Sequence, residues 1–389
     1  MLSPQPPART FRFAYRLAFL FVSVLVLLNG CSMSTGTTSQ ASTAGFVFIT
    51  NSGSGTVSAF TMSSVGSLSP VSTPFPAGTG AEFMAFDSMH KLLFVSNQQA
   101  NTVSAFSVNT GTGALAAVPG SPFATGARPT GIAVDAMGRF VFVANQAGSS
   151  ISVFSIGANG LLSPVPGSPF VAGNPFGLAV NPAGTLLFAN NFPDSMVSDL
   201  NTVSAFQIGA NGALNPVPGS PFATANAAGF ASAIGLTVDP AGKFLFVADH
   251  MAQTVVPFSI TSTGALTSVA ALPAPAPSCS VSCHNNPLRL TVHPNDRFVY
   301  ATNVQAGTVT AFSMANGVLS PIGDVATGTH PFGVALDPSG QFLFAVNKVD
   351  NSISAYTVNS STGMVTPISG SPFSGNLNAP TDIVVITKQ

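Results

Sequence analysis

The sequence contains very little charge. Only 6% of its 389 residues are Asp, Glu, Lys or Arg, and the formal net charge at pH 7 is −1, whereas about a quarter of the residues of an average soluble protein are charged. Nucleic acids and anionic lipid surfaces are bound through clustered basic residues. The composition therefore predicts no nucleic-acid partner, and no membrane contact except through a covalent lipid.

Tryptophan is absent and tyrosine is rare, but the chain is not poor in apolar residues. It has 3 Tyr and 32 Phe, and 46% of its residues are hydrophobic. Disordered chains lack aromatic and apolar residues, so this composition indicates a folded protein. Its length allows one large domain or two ordinary ones.

The N-terminus has the pattern of an export signal. Arg9, Arg12 and Arg16 precede an apolar run of 12 residues, 17–28. This run is short for a spanning helix, which needs roughly 20 residues, but typical of a signal-peptide core. It ends at Leu28-Asn29-Gly30-Cys31, which resembles the bacterial lipobox. A plain membrane anchor with an incidental cysteine is the alternative.

The lipobox resemblance implies lipidation of Cys31 and an extracytoplasmic protein anchored to the cell envelope, at the outer membrane or the periplasmic face. Residues 1–31 are then the signal peptide. Residues 32–45, which are rich in Ser and Thr, form a flexible tether. The folded domain is expected to cover residues 46–387.

One strand-like pattern occurs seven times in the rest of the chain. Each copy contains an apolar triplet, and the triplets are Phe46-Val47-Phe48, Leu92-Leu93-Phe94, Phe140-Val141-Phe142, Leu186-Leu187-Phe188, Phe244-Leu245-Phe246, Phe298-Val299-Tyr300 and Phe342-Leu343-Phe344. Three residues after each triplet comes Asn51, Asn97, Asn145, Asn191, Asp249, Asn303 or Asn347. Such side chains bond local backbone, so we interpret this series as turn residues.

Each copy contains four short strand-like runs. In the third copy they are residues 131–134, 140–144, 150–156 and 161–165. Four strands in about 45 residues are the blade of a β-propeller. The first copy lacks its first strand, and residues 381–386 form a first strand with nothing after it. The sequence therefore predicts an all-β, seven-bladed propeller of four-stranded blades, in which the C-terminal strand completes the N-terminal blade and removes a free edge.

The segment from Pro129 to Phe154, with its Gly-Ile-Ala-Val-Asp and Phe-Val-Phe-Val-Ala-Asn runs, resembles the repeats of the lactonase family of seven-bladed propellers. That family includes the propeller-type 6-phosphogluconolactonase, and the repeat is also similar to that of YVTN-type surface propellers. The resemblance implies a propeller over the whole folded domain and a lactone-hydrolysing activity. In the enzyme, a Pro-Arg-His run at the start of some first strands is associated with the site. The counterpart here is Pro287-Leu288-Arg289, without the histidine.

Departures from the repeat consensus are the best candidates for a site. The position before each first strand holds Gly80, Arg128, Asn174, Ser232, Asn286, His330 or Ala379. Glu82, Arg289 and Asp382 lie close by in the first strands. We assign catalysis to His330, Glu82 and Arg289, with His330 or Glu82 activating water. Substrate binding is assigned to Arg128, Asn174, Asn286 and Asp382. The alternative is that Arg289–Asp382 and Arg128–Glu82 are ion pairs that hold blades together.

Cys279, Cys283 and His284 lie in the long loop that enters the sixth first strand. Outside the cytoplasm two close cysteines most simply form a disulfide. A metal site has no evident fourth ligand, and haem attachment would need an unusual spacing. His90, His250 and His293 show no partner pattern and are expected to be solvated.

No phosphate loop, dinucleotide fingerprint, metalloprotease helix or serine-hydrolase elbow occurs, so the sequence predicts neither a cofactor nor a catalytic metal. Two functions remain open. The first is a monomeric lactonase-like hydrolase acting on a sugar-derived lactone at the mouth of the channel. The second is a non-enzymatic surface propeller that binds a small molecule, glycan or protein there.

Overall fold

The computed structural model describes residues 42–192, 202–224, 233–250, 252–269 and 286–389. These residues form seven antiparallel sheets, and no helix among them is long and apolar enough to cross a membrane. The predicted all-β, seven-bladed propeller is confirmed. Cys31, Cys279 and Cys283 lie outside the described residues, as do the predicted signal peptide and most of the predicted tether.

Each sheet is one blade, and its strands follow one another along the chain. Blade 1 contains β1 (Thr43–Asn51), β2 (Thr56–Ser63), β3 (Leu68–Pro70) and β4 (Phe75–Pro76). Blade 2 contains β5 (Ala81–Asp87), β6 (Leu92–Asn97), β7 (Thr102–Val108), β8 (Leu115–Ala117) and β9 (Phe123–Ala124). Blade 3 contains β10 (Pro129–Val134), β11 (Phe140–Asn145), β12 (Ser150–Ile156), β13 (Leu162–Pro164) and β14 (Phe170–Val171). Blade 4 contains β15 (Pro175–Val180), β16 (Leu186–Asn191), β17 (Thr202–Ile208), β18 (Leu214–Pro216) and β19 (Phe222–Ala223).

The remaining blades have the same order. Blade 5 contains β20 (Ala233–Val238), β21 (Phe244–Asp249), β22 (Thr254–Ile260) and β23 (Leu266–Ser268). Blade 6 contains β24 (Pro287–Val292), β25 (Phe298–Asn303), β26 (Thr308–Ala315) and β27 (Val318–Ala326). Blade 7 contains β28 (Pro331–Leu336), β29 (Phe342–Asn347), β30 (Ser352–Val358), β31 (Val365–Pro367), β32 (Phe373–Ser374), and the last strand is β33 (Pro380–Thr387). The two-residue strands β4, β9, β14, β19 and β32 were not expected from the sequence.

The predicted closure of the ring is confirmed. β33 pairs with β1, from Gly45 opposite Thr387 to Asn51 opposite Pro380. The innermost strands then contact one another in a closed order, β33, β5, β10, β15, β20, β24, β28 and back to β33. These seven inner strands surround the axial channel.

The core lies between the blades. Each of the seven hydrophobic clusters formed by the described residues combines side chains from two neighbouring blades. The central strand of each blade is buried on both faces, as in β1, where Phe46, Val47, Phe48 and Ile49 are at most 1% exposed. This packing explains why the apolar runs are continuous rather than alternating.

The predicted turn residues at the ends of the second strands have a structural role. The Asn51 amide donates to the hydroxyls of Thr56 at 3.1 Å and Ser58 at 2.9 Å. The same pair of bonds to the third strand is made by Asn97, Asn145, Asn191, Asn303 and Asn347. This series therefore holds the turns of the blades and is not a binding ring.

Candidate functional site

The residues that precede the inner strands do form a ring, but their common feature is a backbone conformation. φ is positive at Gly80, Arg128, Asn174, Asn286, His330 and Ala379. The carbonyl of each accepts an N–H from the residue after the second strand of the same blade, as from Lys348 to His330 at 3.0 Å. Left-handed backbone is uncommon outside glycine and asparagine, so this position is primarily a turn that starts the inner strand.

A bulge follows this turn and orients the site residues. In all seven inner strands the pairing register shifts directly after the first residue, and bulges of this kind re-aim side chains. The third residue is glycine in four strands: Gly131, Gly177, Gly235 and Gly333. A Cβ on Gly235 would lie 2.2 Å from the carbonyl oxygen of Leu288, so the strands approach too closely there for a side chain.

Phe83, Arg289 and Asp382 occupy this third position in the other three strands. Gly333 lies on the strand between those of Arg289 and Asp382, so no side chain separates them at this level. We call the end of the channel at which the inner strands begin the candidate opening.

Arg289 is the central cation of the candidate opening. Its guanidinium carbon lies 4.0 Å from the centroid of the Phe83 ring and 5.9 Å from that of Phe176. Its Nε and Nη2 are buried and have no hydrogen-bond partner. Burial lowers the pKa of Arg289, and the carboxylates of Asp382 and Glu82 oppose this effect. A buried guanidinium with unused donors is poised to bind an anion.

Asp382 faces the same space from β33. Its Oδ2 accepts the N–H of Met84 at 2.9 Å. Burial raises the pKa of Asp382 to about 6, while Arg289 and two backbone N–H groups oppose the rise. No ion pair joins Asp382 to Arg289 in the described part of the chain, so the proposed structural pairing of these two residues is not observed there.

Glu82 is the second residue of β5. Burial raises its pKa, and the positive charges of Lys348, Arg289 and Arg128 oppose the rise. Lys348 itself lies over a ring from the inner strand of its own blade, with its Nζ 4.7 Å from the centroid of Phe332. Two carboxylates and three cations are thus gathered at one end of the channel.

The other residues singled out from the sequence lie at the rim. His330 is exposed and is not among the groups whose charges act on Glu82. Asn174 accepts a hydrogen bond from the Ser149 hydroxyl at 2.5 Å. Asn286 is buried and lies 3.1 Å from Nε2 of His250. The structure therefore brings together Glu82, Arg289 and Asp382, with Arg128 in electrostatic range, and leaves His330, Asn174 and Asn286 around them.

The prediction that three further histidines are solvated is wrong for His293 and holds only in part for His250, whereas His90 is exposed as predicted. His293 is 3% exposed and its Nε2 lies 3.0 Å from the carbonyl oxygen of Gly340. Nδ1 of His90 lies 2.6 Å from Oδ2 of Asp87. His250 is half-buried, and burial lowers its pKa. Each histidine is held by a turn or a neighbouring blade, which a pattern within one repeat does not reveal.

The sequence reasoning missed Lys348, Phe83 and Phe176. Lys348 could have been found, because it directly follows the turn residue Asn347 in a chain with 11 Lys and Arg. The two phenylalanines could not, because they are two among 32. Their rings lie 5.6 Å apart in an edge-to-face arrangement, although they belong to blades 2 and 4.

This arrangement can perform acid–base chemistry beside an anion site. A carboxyl group with a pKa near 6 takes up and releases a proton close to neutral pH. The unpaired donors of Arg289 can hold a negative charge next to it. Within the described ranges no three His, Cys, Asp or Glu side chains are grouped so as to hold a metal ion.

The chain resembles known proteins over most of its length. The family described as "Lactonase, 7-bladed beta-propeller" matches residues 37–217 and 235–379. A curated 6-phosphogluconolactonase of Formosa agariphila is 38% identical over 77 residues, which are 18% of this chain and 22% of that protein. The chain therefore aligns with less than a quarter of that relative.

Solved structures share the fold at low sequence identity. A Bacteroides uniformis protein, provisionally described as a 6-phosphogluconolactonase, superposes with a TM-score of 0.74 at 20% identity, over 88% of this chain and all of the other. The periplasmic gluconolactonase of Pseudomonas aeruginosa superposes with a TM-score of 0.73 at 18% identity, over 89% of this chain and 99% of the other. Likeness at this level establishes the architecture alone.

Proposed function

The chain belongs to the lactonase family of seven-bladed β-propellers, and we propose that it hydrolyses a lactone at the candidate opening of its axial channel. The observation that carries this proposal is the convergence of Asp382 and Glu82 on the unpaired Nε and Nη2 of Arg289. Carboxylates with raised pKa values beside an unsatisfied cation are typical of reaction centres.

The charges at the opening favour a substrate that carries negative charge. Arg289, Arg128 and Lys348 all act on Glu82, so cations outnumber carboxylates around the site. The Phe83 ring against the guanidinium gives the site one apolar wall. The names of the relatives, 6-phosphogluconolactonase and gluconolactonase, support a lactone derived from a sugar acid.

The proposed reaction is the addition of water to the lactone carbonyl. Asp382, ionised above a pKa of about 6, accepts a proton from water as the water oxygen bonds to the carbonyl carbon. Arg289 donates to the resulting oxyanion. The intermediate collapses with cleavage of the bond to the ring oxygen, which takes the proton from Asp382, and the product is a hydroxy acid. Glu82 is assigned to the hydroxyl groups of the substrate.

Hydrolysis of a panel of sugar-derived lactones, with and without phosphate, tests the function. We expect kcat/KM to rise about tenfold per pH unit below pH 6 and to level off above it, because only ionised Asp382 accepts the proton. The rate is measured by pH-stat against enzyme-free buffer at each pH. A rate at the buffer background for every lactone, or a flat profile between pH 5 and 8, would contradict the proposal.

A non-catalytic propeller that binds a sugar acid is the second candidate. It is favoured by the orphan donors of Arg289, since these would bind an anion whether or not water is activated. Calorimetry with the hydroxy-acid products separates the two. Binding of a product without turnover of the matching lactone supports the second candidate.

We further propose that the protein is exported and carries a lipid on Cys31. The support is the basic stretch, the apolar run and the Leu28-to-Cys31 segment at the N-terminus. In a bacterial host fed radiolabelled palmitate, the wild type should be labelled and found in the membrane fraction. Cys31→Ala should lose the label, and Cys279→Ala is the control that should keep it. Equal labelling of wild type and Cys31→Ala would contradict lipidation at this residue.

A further inference from the structure

The first residue of the turn that follows the inner strand is an aspartate in four blades, and three of these four carboxylates are fully paired. One oxygen accepts backbone N–H groups of the turn, and the other has a partner nearby. These partners are His90 for Asp87 at 2.6 Å, Arg139 for Asp135 at 2.6 Å, and the Ser339 N–H for Asp337 at 3.1 Å. Each pairing lies within a single turn, so the hydrogen bonds of the carboxylate are satisfied without a ligand or a neighbouring blade.

Asp239 in blade 5 differs from the other three. Its Oδ1 accepts the N–H groups of Lys243 and Phe244, both at 2.7 Å. Its Oδ2 is buried without a partner, and the whole residue is 0% exposed. A buried carboxylate oxygen without a partner is costly, so this oxygen is suited to a hydrogen-bond donor or a positive ion.

The group that faces Asp239 is a second carboxylate, from Asp296 in the corresponding turn of blade 6. Asp296 has a φ of 59°. The other blades with this turn have glycine there with similar angles: Gly138 (64°), Gly184 (66°), Gly242 (69°) and Gly340 (74°). A side chain at this position would point at the turn of the preceding blade. A Cβ added to Gly138 would lie 2.8 Å from Oδ1 of Asp87, and one added to Gly184 would lie 3.3 Å from Oδ2 of Asp135. Asp296 is placed in the same way with respect to Asp239.

Asp296 also leaves an oxygen unused, because its Oδ1 is buried without a partner. Burial raises the pKa of Asp296, the charge of Asp239 and a hydrogen bond to it raise it further, and Lys243 opposes the rise. No ion pair joins Lys243 to either carboxylate in the described ranges. Two neighbouring carboxylates from adjacent blades thus each keep one buried oxygen without a partner, and Lys243 forms no ion pair with them.

We propose that Asp239 and Asp296 form a binding site for a divalent cation, with Ca²⁺ as the ion that fits, at the junction of blades 5 and 6. Carboxylate oxygens are ligands of hard cations, and Ca²⁺ tolerates irregular sets of six to eight oxygens. Asp239 also lines a cavity of about 250 Å³ together with Asn181, Thr237 and Thr291, whereas Asp296 does not line it. The water ligands that the proposal requires would therefore reach the ion from the side of Asp239. With only two carboxylates, the Kd should be in the weak range of roughly 10⁻⁴ to 10⁻³ M.

Calorimetric titration of the full chain with CaCl₂ at pH 7.5 tests the site. We expect one Ca²⁺ per chain and a rise of the thermal midpoint by about 2–5 °C at 10 mM Ca²⁺ over NaCl of equal ionic strength. Asp296→Gly restores the residue found in the other blades, so it should fold, and it should lose both effects. Asp350→Asn removes a carboxylate from an exposed turn and should keep both.

Two outcomes would overturn the proposal. The first is that the wild type shows no binding heat and no shift of its thermal midpoint up to 10 mM Ca²⁺, and that this midpoint rises only when the pH is lowered. The two carboxylates would then share a proton instead of binding an ion. The second is Ca²⁺ binding that is equal in the wild type and in Asp296→Gly. Neither outcome depends on whether the protein hydrolyses a lactone.

Discussion

Replacing Arg289 by methionine is expected to lower kcat/KM for a hydrolysed lactone by about 100- to 1000-fold, the usual effect of removing one donor to an oxyanion. Methionine is long enough to keep contact with the Phe83 ring, which lies 4.0 Å from the guanidinium carbon, but it provides no N–H. The charge of Arg289 also opposes the rise in the pKa of Asp382. The midpoint of the pH profile should therefore move above 6 in the variant. The measurement is kcat/KM from pH 4.5 to 8.5.

The chain provides a matched control for this substitution. Arg297 also lies over an aromatic ring, with its guanidinium carbon 5.3 Å from the centroid of Phe298. It is exposed and belongs to a turn that follows an inner strand, at the far end from the candidate opening. Arg297→Met should keep the wild-type kcat/KM and pH midpoint. An equal loss in both variants, or an unchanged pH midpoint in Arg289→Met, would argue against the assigned role.

Deleting residues 380–389 is expected to abolish the folded ring. β33 provides three buried aliphatic side chains, Ile383, Val385 and Ile386. At roughly 1.5–3 kcal/mol each, they contribute on the order of 5–9 kcal/mol, comparable with the 5–15 kcal/mol that stabilises a typical domain. The deletion also exposes the edge of β1 to association with other chains. Size-exclusion chromatography and thermal melts should show aggregates or a chain without a cooperative transition.

A shorter truncation shows whether the loss of β33, and not merely the loss of the C-terminal residues, causes the effect. Lys388 and Gln389 are exposed and follow the last paired residue of β33. Removing only these two should leave a monomer with a midpoint within a few degrees of the wild type. A soluble monomer with the wild-type midpoint after loss of residues 380–389 would mean that the N-terminal blade is stable without its inner strand.

The architecture could be predicted because it is encoded within each repeat. The apolar triplet and the turn residue that follows it, such as Phe140–Phe142 and Asn145, specify a buried strand and its end without reference to distant residues. The closure could be predicted as well, because the first copy lacks the strand that residues 381–386 provide. Both inferences needed only the order of the chain.

The site could be predicted only in part, because its geometry depends on distant blades. Glu82, Arg289 and Asp382 stood out as departures from the consensus, and they are near one another. Arg128 and His330 stood out for the same reason, but what they share is a left-handed backbone conformation. Arginine and histidine adopt this conformation rarely, so their presence in the sequence did not indicate it. The covering of Arg289 by Phe83 and Phe176 arises only when blades 2, 4 and 6 surround the channel.

The pairing of β1 with β33 also has a kinetic consequence. Thr50 and Thr381, whose hydroxyls lie 3.1 Å apart, are separated by 331 positions. During synthesis β1 therefore leaves the ribosome long before β33 exists. Its edge toward β33 must wait unpaired, although its other edge can pair with β2. Contacts between such distant positions slow folding. The unfolded chain should thus depend on chaperones until its last strand is available to pair with β1.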